Sequence, residues 1–110
     1  MTYSKPLAQR IRRALGRQRS LTEKEMFGGI GFLLRGNMAC GVHGPDMIVR
    51  VGPAAHAEAL RQAHVRPFDL SAGKPAKGWV LVAPAGLQQP ADVKKWVERG
   101  VAFALTLPAK

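Results

Sequence analysis

Residues 29–51, GIGFLLRGNMACGVHGPDMIVRV, decide the fold of this 110-residue chain. Short apolar runs in this stretch alternate with glycine and turn residues, and the pattern extends back to Leu21. Two tight turns, at residues 35–37 and 44–46, place backbone-permissive residues between runs of high β propensity. Runs of this kind predict consecutive antiparallel strands joined by hairpins. A β-meander therefore forms the centre of the predicted fold.

Strand periodicity also predicts which side chains of the meander share a face. For the strand that contains Cys40, the two predicted faces carry Met38, Cys40 and Val42 on one side and Ala39, Gly41 and His43 on the other. Cys40 is expected to be a small buried apolar residue, directed away from His43. The glycines of residues 28–31 match neither a dinucleotide fingerprint nor a phosphate loop. They predict a hairpin turn or a bulge where two backbones approach closely.

The first helix is predicted at residues 5–18 and is both amphipathic and basic. Leu7, Ile11 and Leu15 form its apolar stripe. Beside the stripe lie Arg10, Arg13 and Arg17. Residues 1–20 hold six basic side chains and no acidic one, so they account for six of the ten net positive charges. Two interpretations remain open: a footprint for nucleic-acid phosphates or an acidic partner, or a solvated helix face.

The chain beyond the meander adds a second helix, a loop, a strand and a third helix. Pro53 begins the second helix, residues 65–78 are predicted to form the longest surface loop, and residues 79–82 form the next strand. The third helix begins at Pro90 and ends before Pro108.

The predicted order α-β-β-β-β-α-β-α is typical of an α+β domain. We expect a two-layer sandwich in which helices pack on an antiparallel sheet of about five strands. A chain of this length makes a single domain. Residues 1–20 supply its basic N-terminal helix, and residues 21–110 supply its α+β body.

Two cations next to an indole indicate a binding surface. Lys74, Lys77 and Trp79 combine charge with an aromatic ring, as surfaces that bind nucleic acid or proteins do. The alternative is that Trp79 is a core residue at the start of its strand. The predicted surface for nucleic acid or an acidic partner consists of Arg10, Arg13, Arg17, Lys74 and Lys77.

Arg50 is the one charge in a strand otherwise made of Met, Ile and Val. We expect it to pair with Asp46 or Asp69, or to face a partner. Together with Lys77 and Trp79, it makes up the predicted protein-partner surface.

No arrangement of residues points to catalysis or to a metal site. Glu23 and Glu25 are the only close pair of carboxylates, and a solvated strand edge is the more common role for such a pair. The three histidines do not have the spacing of metal ligands; they are His43, His56 and His64. We therefore expect a protein that is not an enzyme and that needs no cofactor and no metal.

The sequence also bears on the compartment. No apolar run approaches the roughly 20 residues needed to cross a bilayer, and the N-terminus lacks the pattern of a secretory signal. With a single cysteine, these features predict a cytoplasmic protein without a membrane partner.

Ordered motifs along the chain resemble those of the TfoX/Sxy N-terminal domain. They are MFGGIGF (26–32), MACGV (38–42), VRVGP (49–53), RPFD (66–69), KGWV (77–80) and WVERG (96–100) followed by Phe103 and Ala104. The resemblance covers about residues 20–107 and implies a compact α+β domain similar in layout to secretion-chaperone-like folds. It also implies a link to the regulator of natural competence, a transcriptional coactivator that works with the cyclic-AMP receptor protein. The full-length regulators add a C-terminal helical domain, and the family supplies no accepted catalytic residue.

Three functional hypotheses follow, in decreasing order of support. The first is a non-enzymatic regulatory or adaptor domain in transcription regulation, with a protein partner or a second copy of the chain. The second is direct, sequence-tolerant binding of nucleic acid through the basic helix. The third is a small-molecule enzyme that uses Glu23, Glu25 or a histidine.

Overall fold

In the computed structural model, which describes residues 3–17, 20–26, 28–71 and 74–109, the meander of residues 21–51 is present as four strands. The helices and strands, in chain order, are α1 (Lys5–Leu15), β1 (Leu21–Met26), β2 (Gly29–Leu34), β3 (Asn37–His43), β4 (Asp46–Arg50), α2 (His56–Leu60), β5 (Val65–Ser71), β6 (Lys74–Val82) and α3 (Pro90–Ala104). Short 3-10 turns precede α2 and α3 at Pro53–Ala55 and Pro84–Gly86. None of the helices described is long and apolar enough to cross a membrane.

The strands form one antiparallel sheet in the order β1-β2-β3-β4-β6-β5. The predicted α+β class and antiparallel sheet are confirmed, but the predicted loop at residues 65–78 is wrong. That segment belongs to the hairpin of β5 and β6, which adds a sixth strand. Pro67 is tolerated because β5 is an edge strand, where a missing N–H breaks no ladder on the outer side. The pairing of β5 with β6 is also irregular on both sides of Asp69.

A bulge in β3 overturns the predicted alternation of its side chains. Phe32 lies opposite Cys40 and Leu33 lies opposite Met38, so Ala39 has no partner in β2. One extra residue in a strand shifts every residue beyond it to the other face. Met38 therefore lies on the face opposite Cys40 and Val42, and the prediction that these three share a face is wrong.

All three helices pack on one face of the sheet, which we call the helical face. The core of this face combines Val42, Met47 and Val49 of the sheet with Ala59 of α2 and Trp96 of α3. The stripe of α1 belongs to the same core through the buried side chains of Leu7, Ile11 and Leu15. The basic helix is thus docked, with α3 as its main neighbour.

Helix α1 is shorter than the predicted range of residues 5–18. It ends at Leu15, and Gly16 follows with φ of 60°, a positive value that glycine adopts without a steric penalty because it has no Cβ atom. Arg17, predicted to continue the arginine row, lies beyond the end of the helix.

Helix α3 approaches the bulge of β3 very closely at Gly100. A Cβ atom on Gly100 would overlap the carbonyl oxygen of Ala39 and lie 3.0 Å from its carbonyl carbon. The turn between β2 and β3 holds the far end of α3, because Arg35 donates a hydrogen bond of 2.9 Å to the carbonyl of Leu105. Asn37 adds a bond of 2.8 Å to the carbonyl of Pro108.

The opposite face of the sheet, which we call the open face, carries its own small apolar cluster. Its buried members are Met38, Ile48, Phe68 and Leu81, and Leu33 and Trp79 pack against them half-buried. Asp46, also buried, forms an ion pair with Arg66 of β5. The last residues of β4 and the middle of β6 therefore present side chains to solvent beside an apolar patch.

Candidate partner-binding cleft and basic groove

Arg50 lies between two aromatic rings. It ends β4 and is paired in register with Trp79 of β6, so the two side chains share the open face. The guanidinium carbon of Arg50 lies 4.8 Å from the centre of the Trp79 ring and 5.4 Å from the centre of the Phe103 ring. Both distances are within the range of attractive cation–π contacts. The two rings therefore hold the guanidinium group in a defined position.

These three side chains are part of a small cleft, which we call the arginine–aromatic cleft. It has a volume of about 100 Å³ and is lined by Arg50, Gly52, Pro53, Lys77, Gly78, Trp79 and Phe103. The carbonyl oxygen of Gly78 accepts hydrogen bonds from the backbone N–H groups of Val51 (2.8 Å) and Gly52 (3.1 Å). A Cβ atom on Gly52 would lie 2.5 Å from the Phe103 ring. The backbone beneath the cleft is thus fixed by direct packing and hydrogen bonds.

The cleft is electropositive. Burial lowers the pKa of the Arg50 guanidinium below its ordinary value, but an arginine side chain remains charged at neutral pH. Lys77 adds a second, exposed cation, and none of the described residues that line the cleft carries a carboxylate. The predicted pairing of Arg50 with Asp46 is wrong, because Asp46 pairs with Arg66. Asp69, the other predicted partner, has a side chain outside the described part of the structure.

The structure separates the arginines that the sequence places in one row. Arg10 donates hydrogen bonds to the carbonyls of Leu87 (2.5 Å) and Gln89 (3.4 Å), which lie just before α3. Arg13 is exposed, and Arg17 is exposed beyond the helix end. The predicted row of Arg10, Arg13 and Arg17 on one helix is therefore reduced to two helical positions, of which only Arg13 extends freely into solvent.

Arg12, which the predicted row did not include, ties α1 to the edge of the sheet. Its guanidinium binds both carboxylate oxygens of Glu23 in β1, at 2.8 and 2.9 Å. Hydrogen bonding to Arg12 lowers the pKa of Glu23, and the same pairing raises the pKa of Arg12. Both side chains are about one-third exposed, so the pair is a surface contact of modest strength.

A second cationic surface lies between α1 and α3, and we call it the basic groove. It has a volume of about 270 Å³ and is lined by Arg10, Arg13, Ala14, Pro90, Val93 and Lys94. Arg13 and Lys94 are exposed on its rim. The basic groove and the arginine–aromatic cleft share no lining residue, so the two cationic surfaces are distinct.

The remaining sequence candidates do not join either surface. Lys74 begins β6, but its side chain lies outside the described part of the structure, and only Lys77 is placed beside Trp79. Glu25 is exposed on the edge strand β1. Cys40 is fully buried, as predicted, and burial raises the pKa of its thiol to about 12. In the described ranges, no three His, Cys, Asp or Glu side chains form a group that could hold a metal ion.

Sequence reasoning missed Phe103 and Lys94 as members of these surfaces. Phe103 lies seven residues after the buried Trp96, on nearly the same side of α3, so the sequence contains no signal that separates it from the apolar face of the helix. Trp79, in turn, is half-buried in the middle of β6 and is not a core residue at a strand start.

Comparison with known proteins gives a match to a family model. No curated protein and no solved structure matches the chain. A family model described as the TfoX N-terminal domain matches residues 13–104. This region runs from within α1 to the last residue of α3 and contains the six strands and the whole arginine–aromatic cleft. The resemblance carried by the sequence motifs is thus confirmed, and the chain belongs to the TfoX N-terminal domain family.

Proposed function

We propose that this protein is a non-enzymatic regulatory or adaptor domain that acts through protein contacts in transcription regulation. The arginine–aromatic cleft is its partner-binding surface. The observation that carries the proposal is the half-buried guanidinium of Arg50, held between Trp79 and Phe103 without an acidic partner among the described residues. Tryptophan and arginine are enriched among the residues that dominate the binding energy of protein interfaces.

Family membership supports the regulatory part of the proposal. The resemblance to the N-terminal domain of the competence regulators implies a role beside a transcription factor rather than a chemical reaction. The partner is either a different protein or a second copy of this chain. Sedimentation of the purified protein at increasing concentration separates these two cases before any search for a partner begins.

The proposal is tested by affinity capture with matched variants. Wild-type protein is immobilised beside Arg50→Ala, Trp79→Ala and the control Arg61→Ala, whose side chain is exposed at the end of α2. Each captured protein is then purified and its affinity measured again. Loss of a central interface residue costs about 2 kcal/mol or more, so we expect the dissociation constant to rise about 30-fold in the two cleft variants.

Two readings decide the test. Equal unfolding midpoints for the variants and the wild type ensure that lost binding is not lost folding. Capture of the same partners with unchanged affinity by Arg50→Ala and Trp79→Ala would refute the assignment of the cleft.

We propose binding of nucleic acid as the second candidate function, because Arg13 and Lys94 extend from the rim of the basic groove. With three to five phosphate contacts, the affinity for duplex DNA falls with salt along a log–log slope of about −3 to −5. Arg10 is a poor target for mutation, since its guanidinium holds the segment before α3.

The test is fluorescence anisotropy of a labelled random 20-base-pair duplex (a length chosen as roughly two helical turns) at two salt concentrations. The triple variant Arg13→Ala, Arg17→Ala, Lys94→Ala is compared with the wild type. Removal of three contacts should reduce the slope by about 2.7. An unchanged slope, or no binding by the wild type at low salt, would exclude this candidate.

A further inference from the structure

We propose that the arginine–aromatic cleft recognises the carboxylate of an acidic side chain of the partner protein. This inference rests on the proposed function and names the chemistry of the partner. The charge, size and rigidity of the cleft support it.

The charge of the cleft calls for an anion. Arg50 and Lys77 both line the cleft, and among the side chains that the structure describes there, none is acidic. The nearest acidic residue on the same strand, Asp46, is already occupied by Arg66. A partly buried guanidinium without a counter-ion is stabilised when a carboxylate binds it through two parallel hydrogen bonds.

The size of the cleft favours one side chain over a free metabolite. Its volume of about 100 Å³ is well below the roughly 300 Å³ at which small-molecule pockets begin. Three of the lining residues, Pro53, Trp79 and Phe103, offer apolar surface that suits the methylene groups of a glutamate. A carboxylate on a short apolar stem therefore matches the cleft, and the rest of the partner lies outside it.

The arrangement of charge also favours a protein over a nucleic acid at this site. Nucleic acids are held by several cations that follow the phosphate backbone. The cleft has two cations and is otherwise lined by proline, glycine and aromatic residues. The planar guanidinium group of Arg50, held between two aromatic rings, is suited to binding one carboxylate.

The cleft is also preorganised. Gly52 packs directly on the Phe103 ring, and the backbone N–H groups of Val51 and Gly52 hold the carbonyl of Gly78. The two rings restrict the guanidinium before any ligand arrives. Groups already held in their binding positions lose less entropy on association, so even one acidic side chain gains measurable affinity.

The test is an NMR titration that follows the arginine Nε–H and tryptophan Nε1–H signals. The probes are acetyl-Gly-Gly-Glu-Gly-Gly-amide and the neutral isostere acetyl-Gly-Gly-Gln-Gly-Gly-amide, with inorganic phosphate as a third arm. The proteins are the wild type, Arg50→Lys, which keeps the charge and removes the fork, and the control Arg61→Lys. We expect saturable shifts of the Arg50 and Trp79 signals with the glutamate probe. The affinity for the glutamine probe should be lower than that for the glutamate probe by a factor of about ten or more. Arg50→Lys should lose affinity for the glutamate probe by the same factor.

Every other pattern overturns the inference. Equal shifts with glutamate and glutamine would mean that the cleft does not recognise charge. Tighter binding of phosphate than of glutamate would assign the cleft to a phosphate group. Unchanged binding by Arg50→Lys, or no shift with any probe, would remove Arg50 from recognition.

The outcome is separable from that of the proposed function. If the glutamate probe binds in the expected pattern but no captured protein depends on the cleft, carboxylate recognition holds and the adaptor function fails. If capture depends on Trp79 while glutamate and glutamine bind alike, the adaptor function holds and carboxylate recognition fails.

Discussion

Gly100→Ala sets helix propensity against packing at one position of α3. In the interior of a helix, alanine is more favourable than glycine by about 1 kcal/mol. At Gly100, however, the added methyl group would overlap the carbonyl oxygen of Ala39. That oxygen belongs to the bulge of β3, in the middle of the sheet, and cannot move without breaking the neighbouring strand pairing. The helix has to move instead.

The size of the effect follows from what moves with the helix. Since non-bonded carbon atoms are most stable about 3.5–4.0 Å apart, α3 must retreat by about 1 Å. Three of its side chains, Val93, Trp96 and Val97, are each 2% exposed in the core of the helical face, and a gap of this size removes a quarter to a half of their contact energy on that side. We take about 3 kcal/mol for the strain and the lost packing. After the gain of about 1 kcal/mol in helix propensity is subtracted, Gly100→Ala should lower the free energy of unfolding by about 2 kcal/mol.

Urea denaturation followed by circular dichroism measures this difference. A matched control is Ala102→Gly, which reverses the substitution at an exposed position of the same helix and should cost about 1 kcal/mol through propensity alone. The melting temperature of Gly100→Ala should fall by about 8 °C for a domain of this size. If Gly100→Ala is as stable as the wild type or more stable, while Ala102→Gly loses stability as expected, the close approach of α3 to β3 is wrong.

Three further predictions concern single contacts. Glu23→Gln should lower the free energy of unfolding by at most about 1 kcal/mol at neutral pH. Because Arg12 lowers the pKa of Glu23, urea melts should show this difference shrink as the pH falls through the folded-state pKa of Glu23. A difference that does not depend on pH would contradict the ion pair. Arg66→Ala leaves the buried carboxylate of Asp46 without its partner and should cost about 1–3 kcal/mol by urea denaturation, so a loss below about 0.5 kcal/mol would argue against the pair. Burial raises the pKa of Cys40 to about 12, so the folded state keeps the thiol proton that the unfolded state loses. As the pH rises from the ordinary thiol pKa towards about 12, the free energy of unfolding should therefore fall by about 1.4 kcal/mol per pH unit. In urea melts over this pH range, Cys40→Ala should lack the part of the pH dependence that comes from the thiol.

The parts of the fold that depend on local chemistry were predictable. The hairpin turns at residues 35–36 and 44–45 lie where glycine and proline interrupt apolar runs, and the structure has turns at both. The β5–β6 hairpin was not predictable in this way. Strand β6, which lies between β4 and β5 in the sheet, is stabilised by pairing with β4. Prolines and glycines in this hairpin obscure the alternation of apolar and polar residues that would predict its strands. The bulge at Ala39 depends on tertiary structure as well, since the backbone of that residue packs against Gly100 of α3.

The candidate site also contains residues that the sequence indicates and residues that only tertiary packing brings in. Arg50 was recognisable because it is a charge among apolar strand residues, and Lys77 and Trp79 because they join a cation to an indole. Phe103 comes from α3, more than fifty residues after Arg50, and only the packing of that helix on the sheet brings the two together. Likewise, the sequence shows that α1 is basic, but whether each arginine is free depends on the position of acceptors such as the Leu87 carbonyl.

The docking of α1 on α3 has a consequence for biosynthesis. The contact between Arg10 and Leu87 joins positions 77 residues apart, whereas the hairpins of β1 to β4 close locally. At roughly 5–20 residues per second, the ribosome needs about 4–15 s to add the intervening chain. During that interval the apolar stripe of α1 has been made but its main neighbour α3 has not, and the nascent chain carries an uncovered cationic amphipathic helix. The demand of this protein for chaperones is therefore expected to arise at its first helix, before the last helix is translated.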